Sequence, residues 1–189
     1  MTDRRRHGTS WEEALVARVR QAARAGVHLI QIRERDLDGG PLTRLVSSCV
    51  DAVRGTPARV LVNDRLDVAL AAGAHGVHLR ADSFDARRVR AAVRSPFLIG
   101  RSVHSLADAV AATEDGATDY LIFGTVFETT AKPGLPAAGL AALATVAAAT
   151  RLPVLAIGGI TAARVGEVLA AGASGVAGIS MFDTSGRVP

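Results

Sequence analysis

The stretch Leu152-Pro-Val-Leu-Ala-Ile-Gly-Gly-Ile160 decides how the rest of the chain is interpreted. Residues 154–157 form a short apolar run between a proline and a glycine pair, which is typical of a strand buried on both faces. Gly158 and Gly159 follow at once, and a helical pattern opens at Thr161. A strand that runs through glycines into a helix presents backbone N–H groups that suit an anion such as phosphate. The pattern predicts either a phosphate-binding turn or a tight βα turn that merely requires glycine.

The composition of the 189-residue chain favours a single domain, residues 1–189, with a core of small aliphatic side chains. Hydrophobic residues make up 49% of the chain but aromatic residues only 4%, so the core must be built from Ala, Val, Leu and Ile. No apolar run reaches the roughly 18 residues of a membrane span, and the polar residues 1–7 do not resemble a signal peptide. One cysteine, Cys49, excludes an internal disulfide. These features predict a cytoplasmic protein.

The net charge of +4 raises the question of nucleic-acid binding. The arginines cluster at the N-terminus and on one face of a predicted helix, without the interleaved aromatic residues that stack on bases. That helix face carries Arg87, Arg88, Arg90 and Arg94. We therefore expect a small-molecule phosphate ester as the partner, with no nucleic acid and no membrane, and the composition leaves a homo-oligomer open.

Strands and helices alternate strictly along the chain, which predicts the α/β class. Parallel strands joined by helices either close into an eight-stranded barrel or wind into an open doubly wound sheet. Glycines such as Gly26, Gly73 and Gly172 end helices just before a strand, as C-cap glycines do. The predicted strands cover residues 27–33, 59–63, 76–79, 97–101, 119–124, 154–157 and 175–180, and the helices 10–25, 40–55, 66–72, 84–93, 105–114, 139–149 and 162–171.

Only seven strands can be counted, whereas a closed barrel needs eight. Residues 1–3 could be the last residues of an additional first strand. At the other end, residues 182–189 contain Gly186 and Pro189 and are too short and too broken for an eighth helix. The predicted fold is therefore a (β/α)8 TIM barrel, incomplete at the first strand and the last helix. Such a chain should be less stable than a longer relative, or should oligomerise.

Polar residues or glycines stand where each predicted strand ends. In a barrel the carboxyl ends of the strands meet on one face, where the active site lies. The pattern thus predicts a site at this face, built from Arg33, Arg35, Asn63, Asp64, Arg80, Asp82, Ser102, His104, Thr125, Gly158, Gly159 and Ser180.

Several of these segments resemble the thiamine phosphate synthase and thiazole tautomerase (TenI) superfamily, in order and at the family's spacing. They are residues 31–35, 63–65 with Asp67, 76–78, 100–104 and 156–160. The resemblance implies a (β/α)8 barrel and an enzyme of thiamine biosynthesis that acts on thiazole phosphate.

Resemblance to the synthase branch implies a site for hydroxymethylpyrimidine pyrophosphate. Its pyrophosphate would lie on the segment from Gln31 through Arg33 to Arg35, and Asp64 would be a magnesium ligand. The second magnesium aspartate would stand at position 83, where this chain has Ser83, and the Gly-Gln that precedes it in the motif is replaced by Arg80-Ala81. Mg²⁺ binds through carboxylates and phosphate oxygens, so Mg²⁺ is expected only if the chain is synthase-like, and no cofactor is certain. The remaining pyrimidine-site positions are Asn63, Ser102 and Lys132.

Two stretches, residues 100–105 and 123–129, resemble the tautomerase branch more closely. That branch carries a histidine as its acid/base group at the position of Thr125, and a threonine hydroxyl is a poor general base. His104 or His78 could take over proton transfer, although His78 lies in a predicted strand and could equally be a core imidazole. The candidate catalytic residues are therefore His104, Thr125 and Lys132.

Both branches share a thiazole phosphate site. The resemblance places the phosphate on Gly158, Gly159 and the backbone at Ile179 and Ser180, and it places two threonines near the thiazole ring. Because of the two tautomerase-like stretches, we expect a thiazole tautomerase-like enzyme first. A thiamine phosphate synthase and a non-catalytic thiazole or thiamine phosphate-binding protein remain alternatives. The two ring-side residues are Thr129 and Thr130.

Overall fold

The computed structural model of the chain describes residues 1–2, 11–129, 134 and 136–179. Strands and helices alternate over these residues, which confirms the predicted α/β class. The described residues contain seven strands, and their order in the sheet follows the order of the chain. Two compact units can be distinguished. The first comprises the described part of Met1–His78 with Ser95–Leu98, and the second comprises Leu79–Arg94 and the described residues from Ile99 onward.

The first unit is built from three helices and three parallel strands. In β1 and β2, Gln31 lies opposite Leu61, and in β2 and β3, Asn63 lies opposite His78. A parallel register brings the carboxyl ends of neighbouring strands to the same edge. The elements are α1 (Trp11–Arg24), β1 (Leu29–Ile32), α2 (Gly39–Ala52), β2 (Arg59–Asn63), α3 (Leu66–Ala71) and β3 (Gly76–Leu79), whose last residue belongs to the second unit.

The core of the first unit is aliphatic, as the composition predicts. In α1, Leu15, Val19 and Ala23 are buried and four residues apart, so they form one stripe along the helix. Cys49 of α2 is fully buried. Burial, with a further contribution from the negative charge of Glu34, raises the pKa of the Cys49 thiol to about 12. The thiol therefore stays protonated and serves as a small apolar side chain.

Thr2 lies beside β1. Its N–H donates to Gln31 O at 2.9 Å, and the Arg33 N–H donates to Thr2 Oγ1 at 2.9 Å. This is the place that the sequence predicts for the end of a strand preceding β1. Position 3 lies outside the described residues, and closure into an eight-stranded barrel stays a prediction.

The second unit continues the parallel alternation. Ser102 of β4 lies opposite Ile122 of β5, and Phe123 of β5 lies opposite Ala156 of β6. Its core contains Leu121, Leu143 and Val168. The elements are α4 (Ala86–Ala92), β4 (Leu98–Val103), α5 (Leu106–Glu114), β5 (Tyr120–Phe123), α6 (Gly139–Ala148), β6 (Val154–Ile157), a 3-10 turn (Ala162–Arg164), α7 (Val165–Ala170) and β7 (Gly175–Ala177), with Leu98 assigned to the first unit.

Several boundaries differ from the predicted ones for local reasons. Helix α4 begins two residues late because the Asp85 side chain accepts a hydrogen bond from the Arg87 N–H and caps it. Ser105, where the fifth helix is predicted to begin, caps α5, and Asp108 completes a capping box. Strand β7 ends at Ala177, three residues before the predicted end. The predicted start of the first helix at residue 10 and the predicted break after residue 182 lie outside the described residues. None of the described helices is long and apolar enough to span a membrane.

Candidate functional site

Three of the predicted site residues form a hydrogen-bonded row in the first unit, which we call the amide–carboxylate row. Gln31 is buried at the end of β1, and its Nε2 donates to Asn63 Oδ1 at 2.9 Å. Asn63 ends β2, and its Nδ2 donates to Asp64 Oδ2 at 3.1 Å. Each amide is thus held in one orientation by its neighbour. The row thus holds oriented polar side chains at the neighbouring carboxyl ends of β1 and β2.

The backbone at Asp64 is turned into the left-handed region, with φ of 58°. Aspartate tolerates this conformation better than most residues, yet it still costs on the order of 1 kcal/mol. The turn is held because the Asp64 N–H donates to His78 O at 3.0 Å and the Arg65 N–H donates to Asn63 O at 2.7 Å. The carboxylate is therefore aimed by a constrained turn rather than by a flexible loop.

His78 is only 2% exposed in β3. Burial lowers the pKa of its imidazole to about 4, although the negative charge of Asp64 acts in the opposite direction. A neutral, enclosed imidazole suits the core interpretation of His78 better than proton transfer with a substrate.

The two arginines after β1 differ in their surroundings. Arg33 is half-buried, and its backbone is tied to Thr2, whereas Arg35 is exposed. The exposed guanidinium of Arg35 suits the binding of an anion that arrives from solvent.

In the second unit, the loop after β3 carries the predicted metal position. We call residues 80–85 the β3–α4 loop. Arg80 Nε lies 3.4 Å from Asp82 Oδ1, and Asp82 is 75% exposed. From β4, Arg101 donates to Ala81 O at 3.1 Å and to Phe84 O at 3.2 Å. Two guanidinium groups thus lie on this loop.

His104 follows β4 and contacts the end of β5. Its Nδ1 lies 2.6 Å from Gly124 O. A carbonyl oxygen can only accept, so Nδ1 carries the hydrogen, and a neutral ring then presents Nε2 as an acceptor. The His104 N–H also donates to Asp108 Oδ2 at 3.0 Å, which fixes the residue at the start of α5. Ser102, which lies on β4 two residues before His104, is half-buried.

The predicted phosphate turn, Gly158 and Gly159, packs closely against the chain that follows β5. A Cβ atom on Gly158 would lie 2.5 Å from Thr125 Cγ2, and one on Gly159 would collide with Glu128 O. The Phe127 N–H donates to Gly158 O at 3.0 Å, which joins the two segments. Glycine is therefore required here for packing, and Thr125 forms one wall of this glycine turn. The phosphate role stays a prediction.

Arg164 is a candidate that sequence reasoning missed. Its Nη1 donates to Gly159 O at 3.1 Å, and its guanidinium carbon lies 4.3 Å from the centre of the Phe127 ring. This side chain links the glycine turn to the segment packed on it and brings a positive charge beside it. In the sequence Arg164 looks like an ordinary exposed helix residue, and its position five residues after Gly159 is the only available signal.

Comparison with known proteins identifies the family at this point. A family model described as "Thiamine monophosphate synthase" (TMP-TENI) matches residues 1–182. The chain belongs to this family.

Individual relatives agree with this membership. The chain is 46% identical over 170 residues to a thiamine-phosphate synthase of Methanoculleus marisnigri, covering 89% of this chain and 80% of the relative. It is 41% identical over 181 residues to a thiamine-phosphate synthase of Roseiflexus castenholzii, covering 95% and 78%. A solved thiamine phosphate pyrophosphorylase from Pyrococcus furiosus superimposes with a TM-score of 0.82 at 34% identity, covering 98% of this chain and 87% of that one. These names do not support the expectation that the chain stands closer to the tautomerase branch.

The magnesium site that the resemblance implies needs two carboxylate ligands. Asp64 has one carboxylate oxygen engaged by Asn63, Ser83 stands in place of the second aspartate, and Asp82 is paired with Arg80. No cluster of three or more His, Cys, Asp or Glu residues that could hold a metal ion occurs among the described residues. The donor set does not fit a magnesium site with two carboxylate ligands.

The remaining predicted residues are placed only in part. Thr129 is half-buried after β5, and Ile179 is half-buried two residues beyond β7. The other three lie outside the described residues and stay predictions: Thr130, Lys132 and Ser180.

Proposed function

We propose that this chain is a thiamine-phosphate synthase, which couples hydroxymethylpyrimidine pyrophosphate to thiazole phosphate. The hydrogen bond between Gln31 and Asn63 carries the proposal. The family resemblance assigns both residues to the pyrimidine substrate, which a tautomerase does not use. The burial of Gln31 and its fixed orientation support a pyrimidine-side site at this strand end. The synthase names of the relatives support the same choice.

The coupling reaction exchanges one C–O bond for one C–N bond and needs no acid or base from the protein. The C–O bond between the pyrimidine methylene and the pyrophosphate breaks, and the pyrophosphate leaves with the electron pair. The thiazole nitrogen then forms a C–N bond to the methylene carbon with its lone pair. No proton is transferred in this exchange, so orientation of the reactants and stabilisation of the departing anion supply the catalysis. Thr125 in place of a histidine therefore does not impair coupling.

The roles follow from the charges that the substrates carry. Gln31, Arg33 and Arg35 would bind the pyrophosphate, with Asn63 and Ser102 on the pyrimidine side. The glycine turn would bind the thiazole phosphate through backbone N–H groups. On this proposal both partners are small phosphate esters, and the reaction takes place in the cytoplasm. The remaining contacts to the thiazole phosphate are expected from Thr129, Thr130, Lys132, Ile179 and Ser180.

A turnover assay with both substrates tests the proposal. We expect the chain to form thiamine phosphate and pyrophosphate, both detected by chromatography. Gln31→Leu should lower kcat/KM by about 100-fold, because it removes one oriented polar contact and the hydrogen bond that Asn63 Oδ1 accepts from Gln31. Gln21→Leu makes the same change at an exposed position of α1 and should leave the rate unchanged. Absence of product from the unaltered chain would reject the synthase assignment.

A thiazole tautomerase is the second candidate, and the position of His104 favours it. The bond from Nδ1 to Gly124 O directs the ring so that Nε2 could take up a proton. NMR of the thiazole tautomer, incubated with the chain alone, tests this candidate. Conversion that His104→Gln abolishes would establish it. Binding of thiazole phosphate without either turnover would instead indicate the non-catalytic binding protein.

A further inference from the structure

The β3–α4 loop lacks the features of a metal-binding loop. Within the loop, the Asp82 carboxylate faces the Arg80 guanidinium, the Asp85 carboxylate faces Arg87, and the Ser83 N–H donates to Arg80 O at 3.2 Å in a tight turn. The guanidinium beside the Asp82 carboxylate disfavours a cation there, because like charges repel. The side chain at position 83 is a neutral hydroxyl.

The same loop is held in place by a second cation. Arg101 donates to the carbonyl oxygens of Ala81 and Phe84, which lie on either side of Asp82 and Ser83. The two bonds fix the loop backbone before any ligand arrives, and a fixed loop loses less entropy on binding. Arg101 thereby serves as a positioning residue for the loop.

The charge of the loop differs from the motif that the resemblance implies. Arg80 stands where the motif has glycine, and Ser83 stands where it has aspartate. Each change makes the loop one unit more positive, so the two changes together match the charge that a magnesium ion would bring. A guanidinium also binds phosphate oxygens in bidentate geometry. Arg80 is 42% exposed, so an anion from solvent can reach it.

We propose that the β3–α4 loop is a metal-independent anion site in which Arg80 binds the pyrophosphate group. The proposal rests on the proposed function and deepens it, since it adds one residue to those expected to bind the pyrophosphate leaving group. Asp82 is then a competitor for the guanidinium and not a ligand for a cation. Its removal should strengthen pyrophosphate binding, whereas removal of a metal ligand would weaken it.

Calorimetry with inorganic pyrophosphate tests the sign of this effect. The full chain is titrated in excess EDTA and again in excess Mg²⁺. We expect binding in EDTA, with affinity reduced about tenfold in Arg80→Ala, the usual effect of losing one charged hydrogen-bond partner. Asp82→Asn should tighten binding by roughly threefold, because one repulsive charge is gone.

Arg87→Ala is the matched control. Arg87 also faces a carboxylate, Asp85 at 3.5 Å, and it is 69% exposed, but it lies on α4 beyond the loop. It should bind pyrophosphate as the unaltered chain does, which separates a local site from general positive charge. Circular dichroism and Tm of each variant show whether the fold is retained.

Three results would overturn the proposal: no binding in EDTA, weaker binding by Asp82→Asn, or equal effects of Arg80→Ala and Arg87→Ala. Failure of the proposed function looks different. If the chain binds pyrophosphate in EDTA but forms no thiamine phosphate, the anion site stands and the synthase assignment is rejected. If the chain forms thiamine phosphate but binds pyrophosphate only with Mg²⁺, the synthase assignment stands and the metal-independent anion site is rejected.

Discussion

The amide–carboxylate row of the first unit and the glycine turn of the second are built by opposite means. The row consists of side chains that hold one another, Gln31 to Asn63 and Asn63 to Asp64. The turn consists of backbone, and the positive φ values of Gly158 and Gly159 and the close packing around them leave no room for side chains. In a site built from side chains, each substitution should lower activity while the fold is retained. In a site built from backbone, a substitution should lower the stability of the fold first.

The largest effect is expected at the glycine turn itself. Gly159→Val places a branched side chain at φ of 62° and drives its Cβ into Glu128 O. Strain and overpacking together should lower the free energy of unfolding by about 4 kcal/mol. Urea denaturation measures this loss.

Gly166→Ala is the control for that substitution, because Gly166 lies in α7 and a Cβ there meets nothing within 4 Å. Alanine should stabilise the helix by about 0.5–1 kcal/mol. A Gly159→Val protein as stable as the unaltered chain would show that the turn is not built from backbone packing.

Acid should weaken the first unit through His78, which underlies the Asp64 turn. The folded-state pKa is depressed from 6.5 to about 4. As pH falls below 6.5 the unfolded chain takes up the proton first, so stability declines from pH 6.5 to about 4 and then levels off. The loss should reach about 3 kcal/mol. Urea midpoints at pH 7, 5.5 and 4.5 measure it, and His78→Gln should flatten the slope. An unchanged slope in that variant would assign the acid sensitivity to other groups.

The row should tolerate substitution better than the turn does. Asn63→Ala removes the contacts to both Gln31 and Asp64 and leaves the buried Gln31 amide without this partner, which should cost about 2 kcal/mol. The protein should still fold while its kcat/KM drops. Thr43→Ala, which removes a hydroxyl bonded to Gly39 O within α2, should cost less and leave the rate unchanged. If Asn63→Ala and Thr43→Ala lower the rate equally, the loss of rate does not come from the amide–carboxylate row.

The smallest effect is expected from Arg164. Arg164→Ala removes a hydrogen bond to Gly159 O and the contact with the Phe127 ring, both at the surface, and should lower stability by about 1 kcal/mol. KM for thiazole phosphate should rise several-fold while kcat changes little, since the turn is loosened but not removed. Arg151→Ala, an exposed arginine before β6, is the control. A Tm shift without any change in KM would make Arg164 a purely structural contact.

Much of the fold could be predicted because its determinants are local. Apolar periodicity located the helices, short aliphatic runs located the strands, and Ser105 marked a helix start, where the structure adds Asp108 as the second member of a capping box. The motif around Gln31 and Asn63 could also be recognised from the sequence. That these residues lie close together was expected, because parallel strands bring their carboxyl ends to one edge of the sheet. Boundaries were less certain, as at α4, where Asp85 caps a helix predicted to begin earlier.

Sequence by itself therefore determined the α/β alternation, the family and the residue types at the strand ends, because these depend on periodicity and short spacing. Tertiary structure alone decided which of those residues touch. Arg80 pairs with Asp82, Arg101 reaches across to the β3–α4 loop, and Thr125 closes on Gly158. Arg164 became a candidate only through its contacts with Phe127 and Gly159. Such contacts depend on how packed elements place side chains that are distant in sequence, and on which of several available partners each charge meets.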